Sequence, residues 1–240
     1  MPVLAGFGLE VSATPLRRIN TRGRVGRTGW FASRKMGRCL PWESSIEEAW
    51  LRRAELDPGV TAFYAQALAI QVRVKGRLQS YTPDGVAVRH GIVEVHEVKP
   101  DCKADDEEIQ ALAAAAARHL GLRGAIHGFA LASSLLANPV YANMEDLMRR
   151  LHRRVPEPLA RRLVAEAQDA GPLPAAALVA RAAGRHEEGA PKDVLALVAR
   201  GRLRMDLRQP VGAHALVWAP GALPDPAPVL PYPTPPERRP

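Results

Sequence analysis

Between residues 44 and 135 the apolar positions change their spacing several times, and each change marks an element. Ile46, Ala49, Trp50 and Ala54 recur at helical spacing. Ser44 stands before them as an N-cap with Glu47 three residues on, and Asp57-Pro58-Gly59 ends the run, predicting a helix over 44–56. From 60 to 99 the period drops to two. Ile70, Val72 and Val74 alternate before Lys75-Gly76, Val86 and Val88 before His90-Gly91, and Val93 and Val95 up to Pro100. Short strands joined by tight turns follow, most simply as an antiparallel meander. An acidic start at 105–108 then opens a helix with Ile109, Leu112, Ala116 and Leu120 on its buried stripe and the alanines 113–117 as a tightly packed face. Gly121 closes it, and 125–131 reads as one more strand. This order predicts an α/β domain over 43–135.

From about 138 the pattern is nearly all helical. Segments 144–155, 159–170, 175–183 and 192–200 are separated by Pro and Gly, and Gly201 closes the last. Leu203, Met205 and Leu207 then alternate, as do Ala215 and Val217. Helices followed by a two-stranded ribbon predict a winged-helix-like domain over 138–219, with a plain helical bundle as the simpler reading. Residues 220–240 hold nine prolines and few apolar anchors, predicting a disordered, extended tail.

Charge adds a partner. The net charge is +8, which favours a polyanion, although basic charge alone also serves solubility. The excess is concentrated near the start: from 11 to 42 there is no acidic residue, while Arg17, Arg18, Arg22, Arg24, Arg27, Arg34, Lys35 and Arg38 are basic. With Trp30 and Phe31 among them, residues 1–42 read as a basic arm able to follow a phosphate backbone, and Arg22, Arg24, Arg27, Arg34 and Lys35 as its DNA contacts. Two cysteines far apart, Cys39 and Cys102, give neither a zinc site nor a disulfide framework, and a reducing compartment is the expectation. No run approaches the roughly 18 apolar residues of a membrane span, and no secretory signal is evident. A cytoplasmic, membrane-free location is expected.

The chemistry centres on Pro83-Asp84, twelve intervening residues, then Glu97-Val98-Lys99. Alternate residues of a strand share a face, so Glu97 and Lys99 point together and flank the Val98 carbonyl. If the Asp84 strand pairs beside them, Asp84, Glu97 and the Val98 carbonyl converge on one point, and such hard oxygen ligands suit Mg²⁺ or Mn²⁺. A metal there would polarise a phosphodiester and acidify a bound water, with the Lys99 ammonium steering that water. An isolated Glu-x-Lys is usually a solvated surface pair; the Pro-Asp at hairpin distance and an acidic residue on the preceding helix are what raise it to a site. Glu47 is that helix carboxylate, with Glu43 and Glu48 as rivals, although a capping box would equally account for it. Glu94 and His96 fall on the opposite face from Glu97, and His119 and His127 are too isolated to form a metal pair.

This order, helix carboxylate, Pro-Asp, then Glu-x-Lys, resembles the PD-(D/E)XK nuclease superfamily. Within it, Thr28-Gly29-Trp30-Phe31-Ala32-Ser33-Arg34-Lys35, Trp42-Glu43-Ser44-Ser45-Ile46-Glu47, Asp57-Pro58-Gly59-Val60, Gln66, Tyr81-Thr82-Pro83-Asp84 and Glu97-Val98-Lys99-Pro100 resemble, in sequence order, the endonuclease domain of the TnsA family. The specific motifs cover about 17–135, with a looser likeness to 207. The resemblance implies a restriction-endonuclease-like core and a C-terminal winged-helix-like part. It also implies Mg²⁺-dependent nicking of the 5′ ends of a transposon, beside an integrase-fold partner of TnsB type and an AAA+ regulator of TnsC type. It assigns Glu47, Asp84, Glu97 and Lys99 as catalytic, and Gln66 as an accessory residue. Gly85 departs from the family, which has a bulky apolar residue there, so looser packing behind the site is expected; the proline tail has no counterpart. A stand-alone restriction or repair nuclease and a non-catalytic DNA-binding adaptor of the same fold are the competing readings.

Overall fold

The computed structural model describes residues 7–12, 16, 27–183 and 191–236. It is a mixed α/β protein whose chain separates into two compact units: Met1–Glu55, Gly59–Leu136 and Leu230–Pro240 form the first, Leu56–Pro58 and Ala137–Val229 the second.

The first unit begins with a hairpin, β1 (Gly29–Ser33) and β2 (Arg38–Trp42), within what the sequence suggested was an arm. Its buried positions explain the difference: Phe31, Ser33 and Leu40 face inward. Helix α1 (Ser45–Leu56) follows, then β3 (Val60–Ala65), the hairpin β4 (Ile70–Val74) and β5 (Arg77–Tyr81), β6 (Gly85–Arg89) and β7 (Ile92–Lys99). A short turn of helix α2 (Asp101–Ala104) leads to α3 (Glu107–Gly121), β8 (Ile126–Leu131) and the short α4 (Ala132–Leu135). Asp106 caps α3 by accepting the N–H groups of Glu108 and Ile109.

The strands do not form the expected meander. The sheet runs β3-β6-β7-β8, with β6 antiparallel to both neighbours and β8 parallel to β7, while β4 and β5 pair only with each other. The parallel step is dictated by α3, a crossover long enough to return the chain in the same direction. Period two within β7 then assigns the two faces. Val93 and Val95 join Val86, Val88 and the α3 residues Ala115, Ala116 and Leu120 in one core. On the other face Trp50 of α1 meets Phe63 and His96 edge-on, at ring-centre distances of 6.2 and 5.4 Å. Glu94, also on that face, is bound by the Arg89 guanidinium through Nε at 2.8 Å and Nη2 at 3.1 Å.

The proline-rich stretch is extended, as its composition suggests, yet it is packed in its described part. Leu230 is fully buried, its carbonyl accepts from Arg89 Nη2 at 2.8 Å, and Arg89 lies over the Tyr232 ring. Thr234 exchanges two backbone hydrogen bonds with Phe129 of β8. The residues between the prolines supply anchors that a count of apolar residues does not weigh.

The second unit contains α5 (Val140–Met148), α6 (Glu157–Ala170), β9 (Leu173–Pro174), α7 (Ala175–Ala183), α8 (Pro191–Ala199) and β10 (Leu216–Val217). The helix expected over 144–155 stops early. Arg200 binds the carbonyls of Leu151 and Arg153, so those groups are satisfied outside a helix. The expected ribbon is also rearranged. β10 pairs with β9, and only Arg204 of the 203–207 stretch bridges to Trp218. Asp206 turns the chain by accepting the N–H of Arg208.

Candidate metal centre

Helix α1 presents Glu47 in its first turn. The Ser44 hydroxyl accepts the Glu47 N–H at 3.2 Å, and the Glu47 carboxylate accepts from the Ser44 hydroxyl at 3.0 Å and from the Glu43 N–H at 2.8 Å. This carboxylate is therefore turned back on its own helix start, in a variant of the capping box. Of its rivals, Glu48 pairs with Arg52 along the helix, and Glu43 contributes its backbone N–H to Glu47.

The β6–β7 hairpin supplies the rest. Gly85 stands opposite His96, so Asp84, one step earlier, lies at the level of Glu97. Its carboxylate accepts the Val98 N–H at 2.9 Å and the Lys99 ammonium at 3.1 Å, and the same ammonium is 2.6 Å from Glu97. Tyr81, the last residue of β5, donates its single hydroxyl proton to Glu97 at 2.6 Å. His127 Nε2 lies 2.8 Å from that oxygen and must therefore be the donor, fixing the imidazole tautomer. Spacing along the chain gave no sign of the His127–Tyr81–Glu97 relay, because its members come from three different strands.

Behind the site, Gly85 is not a loose point. A Cβ there would lie 2.6 Å from the Trp50 ring, so the indole fills the space a larger residue would take. This overturns the expectation of slack packing.

The electrostatics of the cluster are those of too many anions. Burial and the Glu97 charge raise the Asp84 carboxyl to about 6, and the Lys99 ammonium and Val98 N–H offset only part of that. Burial and the Asp84 charge also raise Glu47, which places it in the same field. Burial disfavours the Lys99 cation, but Asp84 and Glu97 outweigh it and hold the lysine charged. Burial and then Glu97 push the Tyr81 phenol well above its usual range. Burial, then nearby His96, lowers His127 to about 4, so it is neutral. Two carboxylates share one ammonium, with a third, Glu47, close enough to feel the Asp84 charge, and the hard oxygens of Asp84 and Glu97 fit a divalent cation such as Mg²⁺ or Mn²⁺. Among the described residues no three His, Cys, Asp or Glu side chains already form a ligand set, consistent with Glu47 being turned toward its cap.

Compared with models of protein families and with curated proteins, the chain matches none.

Gln66 sits beside the cluster. Its N–H donates to the Asp84 carbonyl at 3.0 Å, its backbone is left-handed at φ 48°, and both side-chain amide atoms are buried without a hydrogen-bond partner among the described residues. Of the expected DNA contacts, Arg22 and Arg24 lie outside the described residues, and Arg27 and Arg34 are exposed. Lys35 is committed elsewhere: its ammonium donates to the Ala54 carbonyl at 2.8 Å, and its N–H to Glu55 at 2.9 Å. Among the described residues no helix is long and apolar enough to cross a membrane.

Proposed function

We propose that this protein is a divalent-metal-dependent DNA endonuclease of PD-(D/E)XK type, acting as a TnsA-like subunit of a heteromeric transposase. The observation that carries this reading is the Lys99 ammonium held at 3.1 and 2.6 Å between Asp84 and Glu97 on adjoining strand positions. A mixed sheet with helix α1 on one face and α3 on the other supports a restriction-endonuclease-like core. The helical second unit would be the winged-helix-like part, and the basic segment before β1 would track the DNA backbone.

Asp84 and Glu97, with the Val98 carbonyl, would hold Mg²⁺ or Mn²⁺. When bound, the metal supplies a Lewis acid for the phosphoryl oxygen and acidifies water. The chain's own groups do the rest. Lys99 orients the attacking water and offsets negative charge as its oxygen bonds to phosphorus and the opposite P–O bond breaks. Tyr81, itself held by His127, fixes the orientation of Glu97. Glu47, released from its cap, would become a third carboxylate at the site.

The test is nicking of DNA carrying the ends of the element that encodes the chain, in Mg²⁺, with and without the integrase-fold partner. Asp84→Asn and Lys99→Ala should each abolish nicking while leaving the circular dichroism spectrum intact. Undiminished nicking by the Asp84 variant would sink the assignment. Cleavage without any partner transposase would move the protein to the stand-alone restriction or repair class.

A further inference from the structure

Trp30 is the one tryptophan of four that the fold displays rather than packs: it is 62% exposed, Trp50 and Trp218 are buried, and Trp42 is half-buried. A single exposed apolar residue is ordinary on a protein surface. Here the mounting and the surroundings distinguish it. The strand beneath is held rigidly, because Trp42 packs so closely over Gly29 that a Cβ would meet its ring at 2.5 Å. At the other end of the hairpin, buried Glu55 of α1 accepts the Ser33 hydroxyl at 2.6 Å and the N–H groups of Arg34 and Lys35. Trp30 therefore projects from a fixed support and not from a fraying strand.

Its strand also leads directly to the start of the helix that carries Glu47. Trp30 pairs with Pro41, and two residues beyond Pro41 is Glu43, whose N–H holds the Glu47 carboxylate. Strand spacing and rise place the Trp30 backbone on the order of 10 Å from that N–H. Along the chain its neighbours are basic: residues 11 to 42 include no acidic residue, and Arg27 and Arg34, three before it and four after it, are exposed. An open aromatic face within positive charge is complementary to a nucleic-acid base beside its phosphates.

We infer that Trp30 is a stacking platform for an unstacked base of the DNA strand bound at the Asp84 centre. This rests on the nuclease reading and deepens it: the preferred substrate carries an unpaired or distorted nucleotide. Phe31, the other aromatic of the strand, is buried and takes no part.

Tryptophan emission of the full chain tests this in EDTA, where binding is read without cleavage. The probes are two oligonucleotide duplexes, one fully paired and one with a single unpaired nucleotide. The wild-type protein should be quenched on binding, more strongly by the duplex with the unpaired base. Trp30→Ala should bind that duplex roughly five- to hundredfold more weakly. Trp30→Phe should keep most of the affinity and lose the quench. Equal affinity for both duplexes, or an unchanged quench in Trp30→Phe, overturns the stacking role while leaving nicking by the Asp84 centre intact. Failure of the wild-type chain to bind either duplex overturns this inference, whereas the nuclease reading stands or falls on the nicking assay with Mg²⁺ and the partner. Concentration-dependent burial of Trp30 without DNA would instead mark a contact between copies of the chain and would also overturn it.

Discussion

At the scale of single residues, Gly85 shows how a small side chain can be the tightest point of a site. Only a hydrogen fits between the Asp84 strand and the Trp50 indole. Gly85→Ala should lower stability by about 1–3 kcal/mol in chemical denaturation, through overpacking against a fully buried ring. A neutral outcome would mean that Trp50 can tilt away from β6. The sequence showed that the residue was small but not what occupied the space, because Trp50 lies 35 positions earlier on another element. The trio Asp84, Glu97 and Lys99 was legible because strand periodicity and a hairpin fix relative positions over short distances. Tyr81 and His127 were not: their contact depends on how β5 and β8 come together, which no local pattern encodes. Glu47 was legible as a cap, and its carboxylate is engaged as one.

At the scale of elements, most helices and strands stand within a few residues of where the periodicity placed them, and the differences have local causes. β3 and β5 escaped notice because one is interrupted by alanines and the other is largely exposed, so neither alternates cleanly. The parallel pairing of β8 with β7 follows from the length of α3 and not from the composition of either strand. The tail departs furthest from its composition, since few apolar residues suffice when each finds a specific site. Leu230→Ala should therefore destabilise the first unit by about 2–5 kcal/mol, measured as earlier unfolding by urea, because a fully buried side chain leaves a cavity. A loss below about 0.5 kcal/mol would show that the segment contributes little to that unit.

At the scale of the whole molecule, buried ionisable groups give the stability curve opposing slopes. His127 is lowered to about 4 by burial. Its contribution is full above the ordinary histidine value and is lost as pH falls toward 4, because the unfolded chain takes up the proton first. Asp84, raised to about 6, acts the other way: its contribution is full below the ordinary aspartate value and is lost as pH rises through 6. His127→Gln removes only the first effect. Its stability relative to the wild type should improve between pH 6.5 and 4, by on the order of 1–3 kcal/mol, in parallel thermal melts. A constant difference across that window would mean that His127 already takes up a proton in the folded state.

The buried Arg89–Glu94 pair carries a consequence for how the protein is made. The ribosome releases β6 and β7 early, but the Leu230 carbonyl that the same guanidinium binds is translated only after all of residues 137–229. During synthesis these two contacts of the first unit must therefore wait, with β8 lacking its Thr234 neighbour, while the second unit emerges and can close its own core. The part of the chain that starts first is in this sense finished last. Its nascent form offers an open strand edge to chaperones for as long as the intervening helices take to appear.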